Sequence, residues 1–158
     1  MKAATINELK QELTAQSPKQ LLELCLRLAR FKKENKELLT YLLFEEHDEH
    51  GYVESVKKEI DERFTELPKA NTYLTQKSLR KVLRTISKYS KYTAAKQSQA
   101  EMLLHFCKKL KASGIAIHRS VGLTKMYVTQ IKKVSTIIQS LHEDLHYDYK
   151  KQLEQLSN

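Results

Sequence analysis

The chain has very little of the two residues that end helices and shape turns. Only three Gly and two Pro occur among its 158 residues, whereas average usage would supply about 12% of the two together. This scarcity removes most of the chemistry from which tight turns are built. The helix-favouring residues Leu, Lys, Glu, Gln and Ala dominate instead. The composition therefore predicts a nearly pure α-helical protein.

Long apolar runs are also missing. No stretch approaches the roughly 18 apolar residues of a membrane-spanning helix, and the N-terminal residues do not resemble a signal peptide. We therefore expect a soluble, cytoplasmic protein with no membrane partner. Cys25 and Cys107 each lie in an apolar helical stripe, which is typical of buried free thiols, with a disulfide or a reactive thiol as the alternative.

Apolar residues recur at three- and four-residue steps along the chain, as on one face of an α-helix. Thr5 with Glu8 and Ser17 with Gln20 form capping boxes that mark two helix starts. The pattern predicts an all-α fold of six to eight helices in one domain over residues 1–158. Short connections favour helices stacked as antiparallel hairpins, in a closed bundle or a short helical repeat.

Two parts of the chain allow more specific predictions. The second, from Pro18 to about Lys33, has apolar residues around most of its circumference, so we expect it at the centre of the core. The segment from Ile115 to Leu156 predicts a short helix, a break near Gly122 and a long final helix.

The first half of the chain resembles a family of small, uncharacterised bacterial all-helical proteins of unknown function. The resemblance rests on three segments, 17–22 (SPKQLL), 36–43 (KELLTYLL) and 56–60 (VKKEI). It implies helical hairpins and no particular activity or site residues.

Acidic residues are almost absent from one long stretch. Residues 69–133 contain fifteen Lys and Arg but only one carboxylate, Glu101, a local net charge of +14 against +9 for the whole chain. Because apolar stripes run through this stretch, we expect a folded basic surface. Its cations are the candidate nucleic-acid-binding residues: Lys77, Arg80, Lys81, Arg84, Lys88, Lys91, Lys108, Lys109, Lys132 and Lys133.

This basic surface favours a binding protein over an enzyme. Cations placed on phosphates release counterions, the main source of non-specific affinity for nucleic acids, and Tyr73, Tyr89 and Tyr92 offer rings for stacking on bases. Nucleic acid is the leading partner class. The alternatives are an acidic protein surface, the chain's own acidic half, self-association into a homo-oligomer, or no partner.

A short pattern within the basic stretch resembles a helix-turn-helix. Gly122, Val128 and Ile131 have the spacing of the turn and second helix of that motif. Lys125, Thr129, Gln130 and Lys132 would then face the DNA groove. His118 departs from the pattern, which has a small residue there, so a helix break at Gly122 is the alternative.

The histidines suggest a metal. Residues 142–146 (HEDLH) match H-E-x-x-H, in which two histidines four residues apart on a helix grip zinc. No third ligand follows in the usual way, and Asp144 adds an unusual charge, which argues against a protease. The remaining metal hypothesis joins His50 to His142 and His146 across facing helices, with a divalent metal as the only cofactor considered.

Overall fold

Eight α-helices and no strand form the regular structure of residues 2–157, the part of the chain that the computed structural model describes (the side chain of Ser157 excepted). The all-α prediction and the predicted helix number are both confirmed. A π-helical turn, Tyr41–Glu45, and two 3₁₀ turns, Glu46–Asp48 and Ile117–Arg119, complete the described structure. The helices are α1 (Ile6–Thr14), α2 (Pro18–Phe31), α3 (Lys33–Thr40), α4 (Glu49–Thr65), α5 (Thr72–Thr93), α6 (Lys96–Ala112), α7 (Val121–Gln139) and α8 (Glu143–Ser157).

The helices belong to two compact units, divided between Phe44 and Glu45. The first unit contains α1, α2 and α3. Both predicted capping boxes are present in it: the Thr5 and Ser17 hydroxyls accept from the backbone N–H three residues later, and the Glu8 and Gln20 side chains accept in return. The prediction of a single domain over residues 1–158 stays a prediction.

The first unit has almost no buried side chain. Tyr41 is its one buried residue among those described, so the expectation that α2 is a central core helix is wrong. Cys25, expected to be buried, is exposed. The unit's large apolar side chains with 39–78% exposure are Ile6, Leu9, Leu13, Leu22, Leu24, Leu26, Leu28, Phe31, Leu42, Leu43 and Phe44.

In the second unit the central helix is α6, which packs against α4, α5, α7 and α8. Its buried side chains cover about 240° of the helix circumference, at about 100° per residue, as expected for a helix with neighbours on several sides. They are Ser98, Ala100, Met102, Leu103, Leu104, Phe106, Cys107 and Leu110.

The neighbours of α6 alternate in direction. Tyr52, near the start of α4, packs edge-on against Tyr89, near the end of α5, so these two helices are antiparallel. Lys57 and Asp61 of α4 contact Glu101 and His105 of α6, each pair 44 residues apart, so these helices are parallel. The predicted stacking of antiparallel hairpins is therefore confirmed for this unit.

The spacing of the helices is regular although the sequence is not. The helices α4, α6 and α8 begin at residues 49, 96 and 143, at equal steps of 47 residues, within the range of helical-repeat proteins. No matching sequence signature accompanies these steps.

The last helices agree with the expectation in part. The 3₁₀ turn Ile117–Arg119 and the extended Ser120 lie where a short helix and a break near Gly122 were predicted. Gly122 itself lies in the first turn of α7, where the Ser120 hydroxyl caps the helix by accepting from the Leu123 N–H. The predicted long final helix is divided by a second break between Gln139 and Glu143. A methyl group at Gly122 would meet the end of the Gln76 side chain of α5.

The helix-turn-helix interpretation is also wrong. Its turn would have to lie at Gly122, which is helical. The chain instead turns before α7, where Gly114 adopts a positive φ of 75° and the 3₁₀ turn Ile117–Arg119 follows. The first turn of α7 therefore cannot serve as the short turn of that motif.

Candidate nucleic-acid interface

Six cations form one stripe along α5, from Lys77 to Lys91. Counted from Lys77, the other five cations lie three, four, seven, eleven and fourteen residues further along the helix. Because successive residues are about 100° apart around the axis, all six fall within an arc of about 100°. The buried residues of α5, among them Leu79, Val82 and Ile86, lie on the opposite side. We call this set the α5 stripe: Lys77, Arg80, Lys81, Arg84, Lys88 and Lys91.

The α5 stripe is largely free of neutralising partners. Five of its members are exposed, and no carboxylate among the described residues forms an ion pair with Lys77, Arg80, Lys81, Arg84 or Lys91. Lys88 is half-buried, with its Nζ 4.7 Å from the centre of the Tyr89 ring. The helix from Thr72 to Thr93 contains no acidic residue at all, so the positive field of this face is not cancelled locally.

The tyrosines of α5 are mostly engaged within the protein. The Tyr89 hydroxyl donates to Glu59 at 2.9 Å, and its ring packs against Tyr52 and Tyr92. Tyr73, by contrast, is 69% exposed near the start of α5. Of the three rings considered for base stacking, Tyr89 serves the packing of α4 against α5 instead.

Of the four predicted binding cations outside α5, two contact other helices and two are exposed on α7. Lys108 donates to Gln152 of α8 at 2.8 Å, and Lys109 pairs with Asp61 of α4 at 3.0 Å. Both therefore link helices of the core. Lys132 and Lys133 of α7 are exposed, and Lys133 follows Gly122 by eleven residues, which places it on the helix face that meets α5.

Two acidic residues of α4 are paired away from the α5 stripe. Glu59 pairs with Arg63 on the same helix at 2.7 Å, and Asp61 faces His105 and Lys109 of α6. Lys109, one of the ten predicted binding cations, is therefore held by a carboxylate of α4. The five exposed cations of the α5 stripe, by contrast, have no carboxylate partner among the described residues.

The three histidines of the metal hypothesis are not brought together. Within residues 2–157 no group of three or more His, Cys, Asp or Glu side chains could hold a metal ion. His142 precedes α8, so it does not share a helix face with His146. The His146 ring instead contacts the Leu141 carbonyl oxygen at 3.0 Å, and exposed His50 lies in the first turn of α4.

A polar cluster that the sequence analysis missed joins α4, α6 and α8. Glu101 accepts from Lys57 Nζ at 3.2 Å and from the Tyr149 hydroxyl at 2.8 Å. A cavity of about 320 Å³ opens beside it, lined on α8 by Leu145, Asp148, Tyr149 and Gln152. One signal was available: Glu101 is the only carboxylate in the basic stretch.

The ionisation of this cluster is set by its contacts. Burial raises the pKa of Glu101, but hydrogen bonds from Tyr149, Lys57 and Gln97 outweigh it and leave the pKa lowered. Burial and the neighbouring Glu101 carboxylate raise the pKa of Tyr149 to about 12. At neutral pH the cluster therefore consists of a carboxylate held by an ammonium group and a neutral phenol.

Removing this carboxylate should lower stability in a pH-dependent way. We expect Glu101→Gln to reduce the free energy of unfolding by about 1–2 kcal/mol at pH 7, because charged hydrogen bonds across three helices are weakened. The pKa of Glu101 is lower in the folded chain, so its contribution is complete above about pH 4.5 and is lost as the pH falls. Urea unfolding of the variant and the unmodified protein at pH 7 and pH 3 measures the difference in their free energies of unfolding. The same difference at both pH values would contradict the expected pH dependence.

Within residues 2–157, none of the helices combines the length and apolar character required to cross a lipid bilayer. No family model, curated protein or solved structure matches the chain.

Proposed function

We propose that the protein binds double-stranded nucleic acid through the phosphate backbone, without reading its sequence, and that the α5 stripe is the contact surface. The observation that supports this is the stripe itself: aligned, exposed cations opposite the buried face of a helix without any acidic residue. The proposed function is binding rather than catalysis.

The dimensions of the stripe suit a duplex. Lys77 and Lys91 are fourteen residues apart on one helix, or about 21 Å at 1.5 Å per residue. The same length of duplex axis carries about twelve phosphate charges, at one per roughly 1.7 Å. Five or six cations in a row can therefore each meet a phosphate group without distortion of the helix.

The chemistry of the stripe favours phosphates over bases. Reading a sequence in the major groove uses a mixed set of side chains, with Asn or Gln for adenine, Glu or Asp for cytosine and Arg or Lys for guanine. The α5 stripe consists of Lys and Arg only, so it lacks the side chains for most base pairs, whereas each of its cations can contact a phosphate. Single-strand binding relies on several stacked aromatic rings, whereas Tyr73 is the one largely exposed ring of α5 and Tyr89 packs against Tyr52.

Fluorescence anisotropy with labelled 20-base-pair duplexes tests this proposal. At 50 mM salt we expect binding to duplexes of unrelated sequence with dissociation constants within a few-fold of one another, and weaker binding to a single strand of equal length. Backbone contacts carry no sequence information, which is the reason for the first expectation. Failure to bind any duplex at 50 mM salt would overturn the proposal, and strong preference for one sequence would overturn its backbone-only form.

A further inference from the structure

The first unit leaves most of its large apolar side chains exposed. Eleven of them have exposed fractions of 39–78%. They are spread over α1, α2 and the π-helical turn after α3. Together they present on the order of 1,000 Å² of apolar surface, since a free side chain of this kind offers roughly 150–200 Å².

This surface includes a defined groove between α2 and α3. The two helices pack against each other and leave a cavity of about 300 Å³, lined by Leu28, Leu38, Leu39 and Leu42 beside Cys25. Asn35, the polar residue at the groove, donates to the Leu28 carbonyl oxygen at 2.8 Å. The lining therefore contains no charged side chain that would have to lose its hydration on docking.

We propose that the α2–α3 hairpins of two copies of this chain pack groove against groove and form a four-helix bundle. A twofold interface requires a patch that complements itself, and an uncharged groove between two apolar helices meets that requirement. A standard interface buries roughly 800 Å² per partner, of which about 57% is apolar, and the exposed apolar side chains of α2 and of the π-helical turn after α3 present on the order of 700 Å². A unit of 44 residues with one buried side chain is also near the size below which oligomerisation is usually needed.

Cys25 provides a probe inside the proposed interface. It is exposed and lines the groove, whereas Cys107 is fully buried and burial raises its pKa to about 12. A neutral maleimide should therefore label Cys25 and leave Cys107 unmodified in the folded protein. The labelling rate then reports whether the groove is covered.

The test combines light scattering with maleimide labelling of the full chain from about 1 to 100 µM. We expect a mass that rises from 18.5 kDa towards twice that value, while Cys25 labelling slows by about three- to sevenfold over the same range, because the monomer fraction follows mass action. A monomer at every concentration would overturn the proposal. A dimer in which Cys25 labelling keeps its dilute-solution rate would also overturn it, because the contact would then lie elsewhere.

A matched pair of variants locates the contact. Leu28→Asp places a carboxylate on a side chain that is 61% exposed in one copy but buried in the bundle, so we expect a monomer with fast labelling and unchanged helical circular dichroism. Val121→Asp makes the same change at an 88% exposed position of α7 and should dimerise like the unmodified protein. Dimerisation of Leu28→Asp at unmodified strength would contradict the proposed interface.

Discussion

Replacing Lys77, Lys81, Arg84 and Lys91 by Gln should reduce duplex affinity on the order of 10³–10⁴-fold at 100 mM salt. Each of these exposed cations is expected to displace one condensed counterion on binding, which contributes close to one power of ten in affinity at this salt concentration. Glutamine is a good helix former, so α5 should stay intact. Anisotropy titrations with a 20-base-pair duplex measure the change.

A second variant with four substitutions tests whether affinity depends on the α5 stripe or on the net charge of the protein. Lys10, Lys19, Lys32 and Lys36 are exposed residues of the first unit, and their replacement by Gln removes the same four charges. We expect less than a fivefold loss of affinity for this variant, because long-range charge alone contributes little once salt screens it. Equal losses in both variants would mean that binding follows total charge and that α5 has no special role.

Replacing Phe106 by Ala should lower the free energy of unfolding of the second unit by about 3–5 kcal/mol, the usual cost of truncating a buried Phe. Phe106 has no exposed surface and lies edge-on to Phe64, with ring centres 5.6 Å apart. It occupies α6, which contacts four other helices, so the surrounding side chains have little freedom to close the cavity. Urea unfolding followed by circular dichroism measures the loss.

Val121→Ala is the control for this truncation. Val121 is 88% exposed, and its replacement should change the free energy of unfolding by less than about 0.5 kcal/mol. A cost below about 1 kcal/mol for Phe106→Ala would contradict the position of α6 at the centre of the second unit. Duplex binding by Phe106→Ala should be retained where the variant is still folded, because Phe106 is buried in α6 and is not one of the exposed cations of the α5 stripe.

Local signals predicted the helices well. The Thr5–Glu8 and Ser17–Gln20 boxes depend on residues three apart, and both formed as expected. Apolar periodicity likewise found α4 and α5, whose buried residues recur every three or four positions. The break before α8 was missed because Ser140 and Leu141 carry no strong helix-ending signal.

Contacts between residues that are distant in the sequence were the part of the site that could not be predicted. The α5 stripe was visible in the sequence because all its members lie on one helix. The partners of Glu101 lie 44 and 48 residues away, so the cluster depends on which helices become neighbours. The metal hypothesis had the same weakness, since it required His50 to meet His142 and His146 from separate helices.

Burial was the least predictable property. An apolar stripe shows that a helix face needs covering, but it does not show what covers it. The side chains of α2 with the pattern of a core helix, such as Leu24 and Leu28, are exposed, while α6, with more polar residues in its sequence, contributes eight buried side chains. This difference is the reason that the proposed dimer could be inferred only once the structure was known.

The salt dependence of duplex binding tests the central claim most directly. We predict that the logarithm of the association constant falls linearly with the logarithm of salt concentration, with a slope of about −4.5 to −5.4 for five or six phosphate contacts at 0.9 each. The variant lacking Lys77, Lys81, Arg84 and Lys91 should have a slope smaller in magnitude by about 3–4. A slope that stays the same in the variant would contradict the claim that the α5 stripe is the contact surface.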